Sequence, residues 1–217
     1  MLRCVMCEGN KLSKHPKNTT GLIDEVEEHR WPKSGDRLLR NSDDWNRGVG
    51  FSRDHISRHV HIWSGYMSAG AALIDVCEED PHERHFLIYP ILFNYRHGIE
   101  LAMKWIIVSY VRYASIEVDD IEIHNLWQLW KLCKQIIIEV GSEDESLPAV
   151  EQVIKDLHDL DGSALTFRYS CDKNGVLISM PDKLIDLNNI RDVMEGISHF
   201  FEGADGQLDA NSSAIEW

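Results

Sequence analysis

The sequence predicts a mainly all-α chain that carries one small β-hairpin near residues 166–180. Apolar residues recur at steps of three and four over most of residues 52–160 and again over 187–201, which is the period of amphipathic helices. Only the hairpin region changes to a period of two, which is typical of strands. With 217 residues, of which 43% are hydrophobic, the chain can bury a core of its own.

The first 50 residues predict an irregular arm, because their few apolar side chains are scattered among Lys, Asn, Ser, Gly and Asp. A long amphipathic helix follows from about Ser52. Pro81 ends it, since proline lacks a backbone donor and disfavours a helical residue before it. A second long helix starts near His82, and Pro90 should bend it or divide it in two.

Three further helices are predicted. Residues 124–140 and 147–160 repeat the helical pattern, and Gly141 is a favourable end for the first of them. The last helix covers about residues 187–201. Residues 203–217 are small and polar, so we expect a disordered tail there.

The hairpin prediction depends on one turn. Residues 166–170 and 176–180 alternate apolar and polar side chains, and Asn174 and Gly175 lie between them. Asn-Gly readily adopts the positive φ angles of a tight hairpin turn. The sequence therefore predicts two short antiparallel strands.

The net charge of −14 is unevenly distributed. Residues 1–60 hold 11 Lys and Arg against 9 Asp and Glu, which gives +2, so the remaining 11 against 27 give −16 over residues 61–217. A body this acidic repels phosphates and is a poor general binder of nucleic acid, although a local basic groove is compatible with it.

The sequence also indicates where in the cell the protein is expected. No apolar run reaches the length of a membrane span, and residues 1–10 contain no apolar signal region. Cys77 and Cys133 fall within helical apolar patterns and are expected to be reduced. We therefore expect a cytoplasmic protein that does not contact a membrane.

The strongest local motif places three charged residues four apart. Arg96, Glu100 and Lys104 line one face of the second helix. His124, followed by Asn-Leu, opens the next helix, and Arg168 stands in a Phe-Arg-Tyr segment before the hairpin turn.

These three motifs, in this order, resemble one branch of the HEPN superfamily over roughly residues 56–202. The resemblance implies an antiparallel four- to five-helix up-and-down bundle that is often dimeric. Many members are metal-independent ribonucleases of toxin–antitoxin, abortive-infection and related antiphage systems. It follows that we expect a component of such a system, with RNA as its candidate substrate, a homo-oligomer as its state and no cofactor.

The usual catalytic signature of that family is an Arg, four to six residues, and then a His on a late helix. Here Arg191 and His199 are separated by seven residues. Arg53 and His59 match the spacing, but they lie at the start of the first long helix. They are retained as an alternative catalytic pair.

The main candidate catalytic set joins the three motifs. His124 can serve as a general acid or base near neutral pH, and Arg96 and Arg168 can hold a phosphate. The other interpretation is an internal ion-pair network that fixes helix register, since buried polar groups must be paired. The full set comprises Arg96, His97, Glu100, Lys104, His124 and Arg168.

Two questions stay open at this level. Cys4 and Cys7 form a bare C-x-x-C that would need two more ligands to hold zinc, so no metal site is predicted. The alternative function is a non-catalytic interaction or oligomerisation module that binds a partner from the same operon. Trp31 and Trp45 are candidate anchors of the arm on the bundle or contacts to that partner.

Overall fold

The computed structural model describes residues 30–118 and 120–215. The chain divides into two compact units, Met1–Val49 and Gly50–Trp217. In the described part of the first unit, Asp36 closes a turn by accepting from the Lys33 amide at 2.8 Å and pairing with Arg30 at 2.6 Å. Cys4 and Cys7 lie outside the described residues.

The described residues of the second unit form five α-helices, which confirms the all-α prediction. The helices are α1 (His55–Glu79), α2 (Arg84–Tyr110), α3 (Leu126–Ile136), α4 (Leu147–Leu160) and α5 (Leu187–Ile215). Short 3-10 turns follow the ends of α1 and α2, and a π-helical turn extends α3.

Three of these helices begin at polar caps, and at α5 the Asp186 carboxylate accepts from the Asn188 amide at 3.0 Å. The Asp54 carboxylate accepts from the Ser57 amide at 2.7 Å, and the Asn125 side chain accepts from the Gln128 amide at 3.0 Å. Each cap satisfies an amide that has no partner within its helix. Within α2, Pro90 does not divide the helix, which is continuous from Arg84 to Tyr110.

Helices α1 and α2 pack closely because glycines remove side chains between them. A Cβ atom on Gly70 would lie 2.8 Å from the Tyr95 ring, and one on Gly98 would lie 2.8 Å from the sulfur of Met67. Residues later in α1 therefore face residues earlier in α2, so the two helices are antiparallel.

Helix α3 runs in the same direction as α2, which corrects a strictly up-and-down order. Arg96, in the middle of α2, donates to the His124 carbonyl just before α3, and Ser115, beyond the end of α2, donates to Glu139 after α3. The connection over residues 111–125 is long enough to return along α2. Its apolar side chains pack on the core during that return.

Helix α5 extends well past its predicted end, so the predicted tail is corrected over residues 203–215. Ala204, Leu208 and Ser212 are buried, and they recur every four residues on one face. The Asp205 carboxylate accepts from Trp105 at 2.9 Å and from Tyr110 at 2.7 Å. The sequence prediction failed because Leu208 is the one large apolar side chain among these three, with the small Ala204 and Ser212 on either side of it.

The predicted hairpin is also corrected. Among the described residues there is no β-strand, only an isolated antiparallel bridge between Cys171 and Leu177. A turn forms, in which Gly175 has the expected positive φ, at +78°, but Asn174 does not, and Asp172 accepts from the Asn174 and Val176 amides. Residues 165–169 coil into a turn instead of extending, and two isolated strands would lack a sheet face to bury.

None of the helices in the described residues is both long and apolar enough to cross a membrane.

Candidate functional site

Arg96 is the centre of a buried ion cluster, with a relative exposure of 3%. Its guanidinium donates to Glu100 Oε2 at 2.8 Å and to the His124 carbonyl at 2.7 Å. Its Nε lies 3.0 Å from Asp161 Oδ2, but the N–H is not aimed at that oxygen, so this contact is an ion pair without a hydrogen bond. One side chain thus joins α2, the start of α3 and the end of α4.

Glu100 is the most enclosed carboxylate, with a relative exposure of 1%. Besides Arg96, it accepts from Lys104 Nζ at 3.0 Å and from His124 Nδ1 at 2.8 Å. Burial acts to raise the pKa of Glu100, but the hydrogen bonds from His124, Lys104 and Arg96 outweigh it and hold the pKa below its usual value. Glu100 is therefore an anion that stabilises three donors at once.

Asp161 completes the cluster, and the sequence analysis missed it. It directly follows α4 and is 2% exposed. Its Oδ1 accepts from the Thr166 amide at 2.9 Å while Oδ2 faces Arg96. The cations Arg96 and Lys104 balance the anions Glu100 and Asp161, so the cluster is neutral apart from His124. This balance is expected because buried charges need partners of opposite charge. In the sequence, Asp161 is recognisable only as an acidic residue at the end of a predicted helix, and such residues are too common to indicate a buried ion pair.

His124 presents a different face to solvent. Its side chain is 66% exposed, and only Nδ1 is bound within the cluster. Because the carboxylate of Glu100 accepts, Nδ1 donates, which leaves Nε2 as the acceptor of a neutral imidazole. A buried carboxylate that orients an exposed histidine is the arrangement used in general base catalysis.

Arg168 stands apart from the ion cluster. Its Nε and Nη2 donate to the Ala164 carbonyl at 2.9 and 2.5 Å. The Ala164 φ of +59° places that residue in the left-handed region. Arg168 lines a cleft of about 630 Å³ together with Tyr89 of α2 and residues on both sides of the 172–176 turn.

His97 also lies outside the cluster. Its ring makes an edge contact with Tyr66 at a centroid distance of 4.6 Å and stacks on Phe93 at 5.6 Å. Burial lowers the pKa of His97. The structure thus makes His97 part of an aromatic contact between α1 and α2.

The alternative pair, Arg53 and His59, is not joined by any described contact. His59 Nε2 bonds the Leu101 carbonyl at 3.1 Å, and its ring stacks on Trp105 at 4.8 Å. Burial lowers the pKa of His59, which favours the neutral ring. Arg53 is exposed just before α1.

The late-helix residues of the family signature share a groove between α1 and α5. Arg191 and His199 both line this groove, which has a volume of about 310 Å³. Arg191 is already bound by two carboxylates of α1, at 3.0 Å from Asp75 and 2.9 Å from Glu78. The pKa of Arg191 is raised, mainly by its hydrogen bond to Glu78.

The structure therefore unites Arg96, Glu100, Lys104 and His124, adds Asp161, and places His97 and Arg168 elsewhere. Comparisons of the chain with protein-family models, with curated proteins and with solved structures find no match. The HEPN resemblance accordingly stays a prediction from the three motifs alone.

Proposed function

We propose that the chain is a HEPN-like component of a prokaryotic antiphage or toxin system and acts as a non-catalytic interaction module. The observation that carries this choice is the pairing of the buried cluster. Arg96, one of the two arginines expected to hold a phosphate, and its neighbour Lys104 both bind carboxylates of their own chain.

The surroundings of the cluster support the same choice. Among its described residues, the connector that leads into His124 has exposed carboxylates at Glu117, Asp120 and Glu122. Glu122 lies two residues before His124, so a phosphate approaching His124 would meet a like charge there, and the body as a whole is strongly acidic. The cluster then serves to fix α2, α3 and α4 against one another, so that the outer helix faces keep a constant shape for a protein partner.

A second candidate function, an endoribonuclease without metal, is favoured by the His124–Glu100 pair. In that reaction His124 Nε2 removes the proton of a ribose 2′-hydroxyl. The 2′-oxygen then forms a bond to phosphorus as the bond from phosphorus to the 5′-oxygen breaks, and a proton returns to the leaving oxygen. Glu100 would orient the imidazole and stabilise its charged form.

Incubation of purified protein with tRNA and total RNA in EDTA separates the two functions. The interaction module predicts intact RNA at high protein concentration. It also predicts a stoichiometric complex on size-exclusion chromatography when the chain is co-expressed with the product of an adjacent gene. A monomer that binds no such product argues against it.

If the protein cleaves RNA and His124→Ala abolishes the cleavage, the ribonuclease function is supported and the interaction module is rejected. His61→Ala is the matched control, because His61 is an exposed histidine on α1 outside the cluster. His59→Ala tests the alternative pair in the same assay.

A further inference from the structure

The cleft beside Arg168 has the form of a small-molecule site. Its volume of about 630 Å³ falls within the range of roughly 300–1,000 Å³ that such sites occupy. Phe167, Ile178 and Met180 contribute apolar wall. Tyr89 and Tyr169 also line the cleft, and these residues are 43% and 56% exposed, so an apolar ligand would gain contact with both.

One fixed cationic donor points the chemistry toward an anion. Arg168 gives Nε and Nη2 to the Ala164 carbonyl, while Nη1 has no hydrogen bond or ion pair with any described residue. Its guanidinium also lies 5.6 Å from the centre of the Tyr169 ring. A guanidinium held in this way loses little side-chain freedom when it binds a carboxylate or a related oxyanion.

The buried cluster holds the wall of the cleft in place. Asp161 binds Arg96 on one side and the Thr166 amide on the other, and Thr166 itself lines the cleft. Between them, Ala164 keeps a left-handed φ that costs free energy for a residue with a Cβ atom. The three sequence motifs thus meet in one chain of contacts that ends at Arg168.

We propose that this cleft binds a small amphipathic organic anion, with its charged oxygens on Arg168 Nη1 and its apolar body between Tyr89, Phe167 and Met180. The anchor sets specificity for charge, and the apolar walls supply contact area. The site is separate from the His124–Glu100 pair, and the proposal stands whether or not the chain cleaves RNA.

Fluorescence titration with 8-anilinonaphthalene-1-sulfonate tests the proposal, with the neutral analogue N-phenyl-1-naphthylamine in parallel. The sulfonate should bind saturably and more tightly than the neutral analogue. Arg168→Gln should weaken the sulfonate by about tenfold, as expected for loss of a charge-assisted contact, and leave the neutral analogue unchanged. Tyr89→Ala should weaken both.

Arg58→Gln is the matched control, because Arg58 also donates Nε and Nη2 to one backbone carbonyl, that of Ser52, but lies outside the cleft. Displacement of the dye by 2-naphthoate and by octanoate distinguishes a ring-shaped body from an aliphatic one. Far-UV circular dichroism and thermal melts verify that each variant is folded.

Three results would overturn the proposal. The first is the absence of saturable dye binding up to about 1 mM, a concentration at which even weak binding would be seen. The second is equal affinity of the wild type and Arg168→Gln for the sulfonate. The third is a loss of sulfonate affinity in Arg58→Gln as large as that in Arg168→Gln.

Discussion

Arg96 and Arg168 both donate to a backbone carbonyl, but they do so in opposite settings. Arg96 is 3% exposed and faces two carboxylates, whereas Arg168 is exposed and has the Ala164 carbonyl as its partner. A guanidinium taken out of water needs its charge compensated inside the protein, and one that stays in water does not. This difference indicates that Arg96 stabilises the fold, and it agrees with the proposal that Arg168 binds a ligand.

The largest effect is expected for the substitution Arg96→Met. Removal of the guanidinium leaves Glu100 and Asp161 buried without their shared partner, so the free energy of unfolding should fall by about 3–5 kcal/mol. Urea denaturation followed by circular dichroism at pH 7 measures it. Arg58→Met, the same change at an exposed arginine, should cost about 1 kcal/mol or less. Equal losses in the two variants would contradict the assignment.

A smaller loss is expected for Asp161→Asn. The amide oxygen can still accept from the Thr166 N–H, but the charge that faces Arg96 is removed. The expected cost is about 1–3 kcal/mol in the same urea experiment. Asp159→Asn supplies the control, because Asp159 is exposed on α4. If the two variants unfold at the same urea concentration, Asp161 is not part of the cluster in solution.

The pH dependence of stability should follow Glu100. Its folded pKa is lowered, so as the pH falls the unfolded chain takes up the proton first. The stability from this group is present above the unfolded pKa of about 4.3 and is lost as the pH falls through the lower folded pKa. Urea midpoints measured from pH 7 to pH 3 should fall more steeply for wild type than for Glu100→Gln. Parallel profiles would show that Glu100 is not held as an anion.

The smallest effect on stability should come from Arg168→Gln. The variant loses hydrogen bonds that are partly solvated, so the expected cost is about 1 kcal/mol or less. The same variant is expected to lose the preference for anionic dyes in the cleft. A stability loss as large as that of Arg96→Met would erase the contrast between the two arginines.

The sequence predicted the parts of this fold that depend on local periodicity. Apolar steps of three and four predicted α1, α2 and α4, and the spacing of Arg96, Glu100 and Lys104 predicted a shared helix face that the structure confirms. Each of these features is set by residues within one helix, where the period of 3.6 fixes relative positions.

The features that the sequence missed depend on distant contacts. Asp161 joins the cluster only because the end of α4 reaches Arg96 of α2, and no local pattern marks that approach. The end of α5 is buried through Leu208 and the small side chains of Ala204 and Ser212, which give only a weak apolar pattern. The hairpin failed for the opposite reason, because a good local turn at Gly175 is insufficient when no third strand covers the pair.

The contacts of Asp205 have a consequence for folding kinetics. This residue bonds Trp105 and Tyr110, which precede it by 100 and 95 residues along the chain. Contacts of such long sequence separation require loop closure before they stabilise anything, and they slow folding. Refolding should therefore be slower than for helical bundles with mostly local contacts, and docking of the end of α5 onto α2 should be a late step.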